Sequence, residues 1–300
     1  MSKLALQGTF TALVTPFTPD GASIDFAALD KLVDAQLAGG ITGLVPCGTT
    51  GETPTLTEDE QVEVVRRVAA RAKGRVPVLA GTGTFSTKKT VEASKAAVAA
   101  GADAVMVVMP YYNKPSQDGM RAHVLAVAAA VDVPIVLYNI PGRSVVDLLP
   151  GTVERICVEA KNVVGMKEAT GNVVRCQELV RRLGDRLTVL SGDDALTLPM
   201  MSVGARGVIS VTSNVLPAAT SRVTTLWAEG KIEEARRAHF DLLEFHALMF
   251  VEPNPAPAKA ALAELGAMSA SVRLPMAPAT EGLVRSIKTA LTEARDKRQL

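Results

Sequence analysis

The sequence predicts a (β/α)8 TIM barrel, one α/β domain, with a C-terminal helical appendage. Three observations point to it: eight short, β-branched apolar runs recur between residues 8 and 214, helical spacing fills the segments between them, and no strand-like run follows. The runs are GTFTALVTPF (8–17), ITGLVPCG (41–48), VPVLAGTG (76–83), AVMVVMPY (104–111), VPIVLYN (133–139), NVVGMKEA (162–169), LTVLSGDD (187–194) and RGVISVTSN (206–214). Continuous apolar runs without polar alternation suit parallel strands buried on both faces. Such alternation of strand and helix builds either a barrel or an open doubly wound sheet. The open sheet calls for G-x-G-x-x-G after the first strand. GTGTFS (81–86) has only the first two of those glycines and follows the third run. Eight units favour the barrel, which commonly occupies about 250 residues as one domain.

The helical segments open on capping residues. Asp25 precedes FAALDKLVDAQLAGG, Thr57 precedes EDEQVEVVRRVAARAKG, and Asp118 precedes GMRAHVLAVAAAV. Thr57 with Glu60 three residues on forms a capping-box pattern. From Pro217 to Leu300 the pattern reads as three or four helices with a Pro-rich bend at EPNPAPAK (252–259). The expected division is therefore a barrel over 1–216 and a helical extension over 217–300, packed on it.

Composition excludes several function classes. A formal net charge of +1, with three Tyr and one Trp scattered, leaves no basic stripe interleaved with aromatics, so no nucleic-acid partner is expected. Lys and Arg form no run suited to an anionic membrane. The apolar runs fall well short of the ~20 residues that span a bilayer, and MSKLALQGTFTALVTPF lacks a signal-peptide pattern. Cys47, Cys157 and Cys176 are odd in number and widely spaced, as free thiols in a reducing compartment would be. With no CxxC pair and no ligand spacing among His123, His239 and His246, no metal site is expected. The chain reads as cytoplasmic.

In such barrels the chemistry lies where strands run out into their βα loops. Strand two then offers Thr49, Thr50 and Glu52, and strand four Tyr111 and Tyr112. Strand five offers Tyr138, Asn139 and Arg143, strand six Lys167 and Glu168, and strand seven Gly192, Asp193 and Asp194. Lys167 is the sharpest signal, being the only lysine inside an apolar strand run. Burial disfavours a charged amine unless it is paired, and a neutral amine is what imine formation with a carbonyl requires. The alternative is a lysine paired with a barrel carboxylate. Tyr138, on the neighbouring strand, either serves the core with its hydroxyl tied to backbone or faces Lys167 and shuttles protons.

GTTGE is either a tight turn with a threonine cap or a carboxylate cradle of hydroxyls and freed backbone N–H groups. Arg143, after Pro141-Gly142, is either a plain surface arginine or a bidentate grip on a carboxylate. The Asp193-Asp194 pair reads as a helix N-cap rather than a cation site. Glu168 reads as a structural partner, and LPMMSV (198–203) as core.

The ordered set GTTGE, PYYN, YNIPGR, KEATGN, SGDD and GVISVTSN resembles the dihydrodipicolinate synthase group of the pyruvate-dependent class I aldolases, the family that includes N-acetylneuraminate lyase. The resemblance covers about residues 6–295. It implies that Lys167 forms the Schiff base with pyruvate, that Tyr138 moves protons, and that Thr49 relays them to Tyr112 lent by a neighbouring subunit. It further implies that Thr50 and the main chain at Ile209 hold pyruvate, with Gly192 among the binding residues. Arg143 corresponds to the entrance arginine that receives the carboxylate of aspartate semialdehyde, the second substrate on the diaminopimelate route to lysine. A sibling lyase acting on a sugar acid or another 2-keto acid is the alternative. The family implies no cofactor beyond the covalent imine, and a homo-oligomer, a tetramer. Lysine-sensitive members bind free lysine at a subunit interface, and the matching positions here are Glu58, Gln61, Phe85 and Lys89. Phe85 removes an amide and Lys89 replaces a carboxylate, so little or no inhibition by lysine is expected.

Overall fold

Eight parallel strands form the centre of the molecule: β1 (Gly8–Ala12), β2 (Gly43–Val45), β3 (Leu79–Gly81), β4 (Ala104–Val108), β5 (Ile135–Asn139), β6 (Val163–Glu168), β7 (Thr188–Ser191) and β8 (Gly207–Ser210). The computed structural model describes residues 4–297 and 299–300. Each strand falls inside one of the expected runs. They pair in the order β2-β1-β8-β7-β6-β5-β4-β3. The two ends of that order meet through a Leu44–Val78 bridge and the backbone bonds Leu44 N to Pro77 O, 3.0 Å, and Gly81 N to Pro46 O, 2.9 Å. The ring is closed there.

Period-two alternation along each strand divides the core in two. Phe10, Val45, Leu79, Met106, Val136 and Leu190 pack inside the barrel, while a larger apolar layer fills the space between strands and helices. Phe10 needs a glycine opposite: a Cβ on Gly43 would lie 2.1 Å from its ring. On β5 the alternation sends Ile135 and Leu137 outward and Val136 and Tyr138 inward. That choice of faces sets up the site.

The outer helices are α1 (Phe26–Ala38), α2 (Glu58–Ala72), α3 (Thr87–Ala99), α4 (Gln117–Ala128), the short α5 (Pro141–Ser144), α6 (Pro150–Glu159), α7 (Val173–Leu183), α8 (Thr197–Ser202) and α9 (Pro217–Ala228). Asp25 caps α1 by accepting the Ala28 N–H at 2.9 Å, and both bonds of the Thr57–Glu60 capping box are made. At α4 the cap differs from the expected Asp118. Ser116, in extended backbone, accepts the Gly119 N–H at 3.2 Å, and Asp118 sits in the first turn. There its charge complements the helix dipole and pairs with Arg155 at 2.5 Å.

Beyond residue 216 the described residues form five helices instead of three or four, continuing after α9 as α10 (Ile232–Phe240), α11 (Leu243–Leu248), α12 (Ala256–Glu264) and α13 (Glu281–Asp296). Helices α10 and α11 are separated at Asp241-Leu242, where Leu242 is wholly buried. Helix α9 packs on β1 and α1, so it serves the barrel as its last outer helix while opening the extension.

Candidate active site

Lys167 and Tyr138 are register partners on β6 and β5. Both are buried, and the Lys167 Nζ stands 4.3 Å from the centre of the Tyr138 ring. The neighbours of Lys167 take the other face: Met166 enters the outer core, and Glu168 receives the Arg175 Nε at 2.8 Å and the Thr170 N–H at 2.8 Å. Glu168 is thus a structural partner, of Arg175. Among the described residues Lys167 makes no ion pair, and the Tyr138 hydroxyl bonds to no protein group. Neither side chain therefore shows the bland arrangement that competed for it. The molecule holds that arrangement elsewhere, at Lys259. Its Nζ lies 2.5 Å from Glu52 Oε1 and donates to Ser271 O at 2.9 Å; burial pushes this amine down to about 8 against the pull of Glu52.

The loop after β2 is a tight turn as well as a cradle. Cys47 and Glu52 bracket it, each in the left-handed region at φ 55°. Inside it the Gly51 N–H donates to Gly48 O and the Glu52 N–H to Thr49 O, both at 3.1 Å. Gly81 lets the turn settle on β3, since a Cβ there would lie 2.1 Å from Cys47 O. Thr50 is buried, and its Oγ1 accepts from Asn254 Nδ2 at 3.0 Å. Among the described residues neither the N–H nor the O–H of Thr50 donates to a protein acceptor, so two donors at one residue remain for a ligand carboxylate. Thr49, partly buried, lies one residue before it.

The ends of β6, β7 and β8 are stitched together. Gly192 donates its N–H to Glu168 O at 2.8 Å, and a Cβ on it would meet the Ala169 Cβ at 2.5 Å. Asp193 accepts the Ala195 N–H at 2.9 Å, the cap expected of it. Asp194 does something the sequence pattern did not show. Fully buried, it accepts from the Ser210 hydroxyl, from the Val211 N–H at 2.9 Å and from the Thr212 N–H at 3.2 Å. It thereby fixes the loop that follows Ile209, which lies in the barrel interior with Tyr138.

Two expected site residues stand in solvent. Tyr112 is 90 % exposed with a left-handed backbone, φ 71°. Arg143 is exposed on α5, and among the described residues it makes no ion pair. Its loop is tied at the base, where Asn139 receives the Leu148 N–H at 3.0 Å and donates to Asp147 at 2.8 Å. The fold thus joins Lys167, Tyr138 and Ile209 in the interior and sets Thr49, Thr50 and Gly192 at strand ends. It leaves Tyr112 and Arg143 exposed on the single chain. Asn254 and Lys259 were missed from sequence, where EPNPAPAK signals only a bend. The cysteines offer no rival nucleophile: all three are free and buried, with burial pushing Cys47 up to about 12, Cys157 to about 11 and Cys176 to about 12. Among the described residues, no helix is long and apolar enough to cross a membrane, and no group of three or more His, Cys, Asp or Glu side chains is placed to hold a metal.

The dihydrodipicolinate synthetase family profile matches residues 5–294. The 4-hydroxy-tetrahydrodipicolinate synthase of Sorangium cellulosum (strain So ce56) is 68% identical over 299 residues, covering 100% of this chain and 99% of that one. The solved structure of the 4-hydroxy-tetrahydrodipicolinate synthase from the thermoacidophilic methanotroph Methylacidiphilum fumariolicum SolV superposes with a TM-score of 0.95 at 45% identity, covering 98% of this chain and 97% of that one. The chloride-inhibited dihydrodipicolinate synthase from Acinetobacter baumannii, solved in complex with pyruvate, gives a TM-score of 0.94 at 40% identity, over 97% of this chain and 99% of that one.

Proposed function

The chain belongs to the dihydrodipicolinate synthetase family and acts as a 4-hydroxy-tetrahydrodipicolinate synthase, and we propose that it does so by holding pyruvate as an imine on Lys167 and condensing it with L-aspartate 4-semialdehyde. The observation that carries this reading is a buried lysine lying over the ring of a tyrosine, the lysine unpaired and the tyrosine hydroxyl unbonded among the described residues. The free amine of Lys167 adds to C2 of pyruvate, and loss of one water from the carbinolamine gives the imine. Tyr138 gives a proton to the departing hydroxyl and takes one back. Loss of a C3 proton leaves an enamine whose C3 attacks the aldehyde carbon of the semialdehyde. The amino group of that substrate then displaces Lys167 from C2, closing the ring and freeing the enzyme. The carbonyl is activated covalently, so the route needs no metal. Thr50 holds the pyruvate carboxylate through N–H and O–H, beside the main chain of Ile209 and Gly192. In the cell we place the reaction in the cytoplasm.

Arg143 selects the semialdehyde by meeting its carboxylate. A lost charge-assisted contact of this kind is worth roughly 1.5–3 kcal/mol. Arg143→Ala should therefore lower kcat/KM for the semialdehyde roughly 10- to 150-fold and leave kcat/KM for pyruvate unchanged. Equal damage to both half-reactions, or efficient N-acetylneuraminate cleavage by the wild type, would favour the sibling lyase.

Tyr112 completes the relay through Thr49 in a neighbouring subunit, which makes the active form a homo-oligomer, by family resemblance a tetramer. Its exposure and its left-handed backbone support that role. Lys167→Ala and Tyr112→Phe chains, each weakly active alone, should regain activity when mixed and reassembled, because some sites then combine an intact lysine with an intact tyrosine. Failure to complement in verified mixed oligomers would confine Tyr112 to its own chain.

Free lysine should inhibit weakly or not at all at physiological concentrations. Phe85, 48% exposed and edge-on to Tyr111 at 5.5 Å, offers no amide, and exposed Lys89 puts a like charge beside a lysine ammonium. Sub-millimolar inhibition in a steady-state assay would contradict this.

A further inference from the structure

Residues 254–259 of the extension reach back to the GTTGE loop at two points. Asn254 donates to Thr50 Oγ1 at 3.0 Å, and Lys259 pairs with Glu52 at 2.5 Å, both ends of the pair being buried. The second Glu52 oxygen accepts the Arg273 main-chain N–H at 3.0 Å. Lys259 Nζ also stands 3.9 Å from the centre of the Phe17 ring, and the Arg273 guanidinium stands 4.4 Å from that centre and pairs with Glu60 at 2.7 Å. A buried ion pair is a poor source of stability, because desolvating two ions offsets most of their attraction. What this pair holds is a backbone. Glu52 occupies the left-handed region, φ 55°, which is costly for a non-glycine residue, and such conformations persist where surroundings over-determine them. Here one carboxylate oxygen accepts the Arg273 N–H and the other faces the Lys259 ammonium, and the Glu52 N–H closes the turn onto Thr49 O.

We propose that the Lys259–Glu52 pair is a positioning device for pyruvate capture: it locks the turn that aims the Thr50 donors at the pyruvate carboxylate. The inference rests on the reading of Thr50 given above. It predicts a loss confined to one half-reaction, since loosening the turn affects imine formation while leaving the entrance arginine and the later steps in place. Simple destabilisation lowers both half-reactions together by removing active molecules.

The test is steady-state kinetics of the full-length enzyme with both substrates varied, for Lys259→Met, the charge-neutral double variant Lys259→Met/Glu52→Gln, and Thr50→Val as a reference, with Tm measured for each. All three should lower kcat/KM for pyruvate by roughly tenfold or more, about 1.4 kcal/mol, with kcat/KM for the semialdehyde unchanged. Should Lys259→Met leave Glu52 unpaired and fail to fold, the double variant, which buries no lone charge, decides. A folded double variant with unchanged pyruvate kcat/KM, or with both half-reactions reduced equally, overturns the proposal while Thr50→Val still shows its loss. If Thr50→Val itself leaves pyruvate use intact, the reading of Thr50 falls and this inference falls with it.

Discussion

Lys167→Ala should lower kcat/KM for pyruvate by at least about 10³-fold, about 4 kcal/mol of transition-state stabilisation, while the variant keeps its fold. Without the amine there is no imine, and the C3 proton must leave an unactivated keto acid. The fold should survive because no partner is orphaned. Among the described residues the Lys167 amine makes no ion pair, and the next residue along β6, Glu168, is satisfied by Arg175 at 2.8 Å. Circular dichroism and Tm near wild type, together with the kinetic loss, separate a chemical role from a structural one. Retention of wild-type turnover would remove Lys167 from the reaction.

Tyr138→Phe should cost 10²–10⁴-fold in kcat, the usual worth of a placed proton-transfer group, with the protein still folded. The substitution removes only a hydroxyl that bonds to no protein group among the described residues, and the ring keeps its place in the barrel interior beside Lys167. Stability and catalysis should therefore come apart in this one variant. Rapid-quench measurement of imine formation should show the slowed step directly. A folded variant with wild-type turnover would return Tyr138 to the core.

The strands were legible because each is a continuous apolar run, and burial on both faces leaves that mark on any parallel strand. Strand order placed Tyr138 next to Lys167 but left open whether it faced the lysine or served the core, and the β5–β6 register is what pairs them. Local chemistry was legible where it stays within a few residues, as in the Thr57–Glu60 box. It slipped where two capping residues compete, and Ser116 took the place expected of Asp118. The break at Asp241-Leu242 was hidden because burial of Leu242 depends on tertiary packing. The supports of the site were the least visible part. Asn254 meets Thr50 across 204 positions, and the Arg273 main chain meets Glu52 across 221, so no local pattern encodes either contact. Asp194 reads as a cap because its neighbour is one, yet its oxygens are spent on the loop after β8. Roles for Tyr112 and Arg143 came from resemblance to the family, since both are exposed and geometry within one chain gives them no partner.

Borohydride reduction in the presence of pyruvate, followed by peptide mass spectrometry, tests the covalent reading most directly. One reduced pyruvyl adduct is predicted, on Lys167, and it should vanish in Lys167→Ala. An adduct on Lys259 or any other lysine, or an active enzyme that yields no adduct at all, would contradict the account.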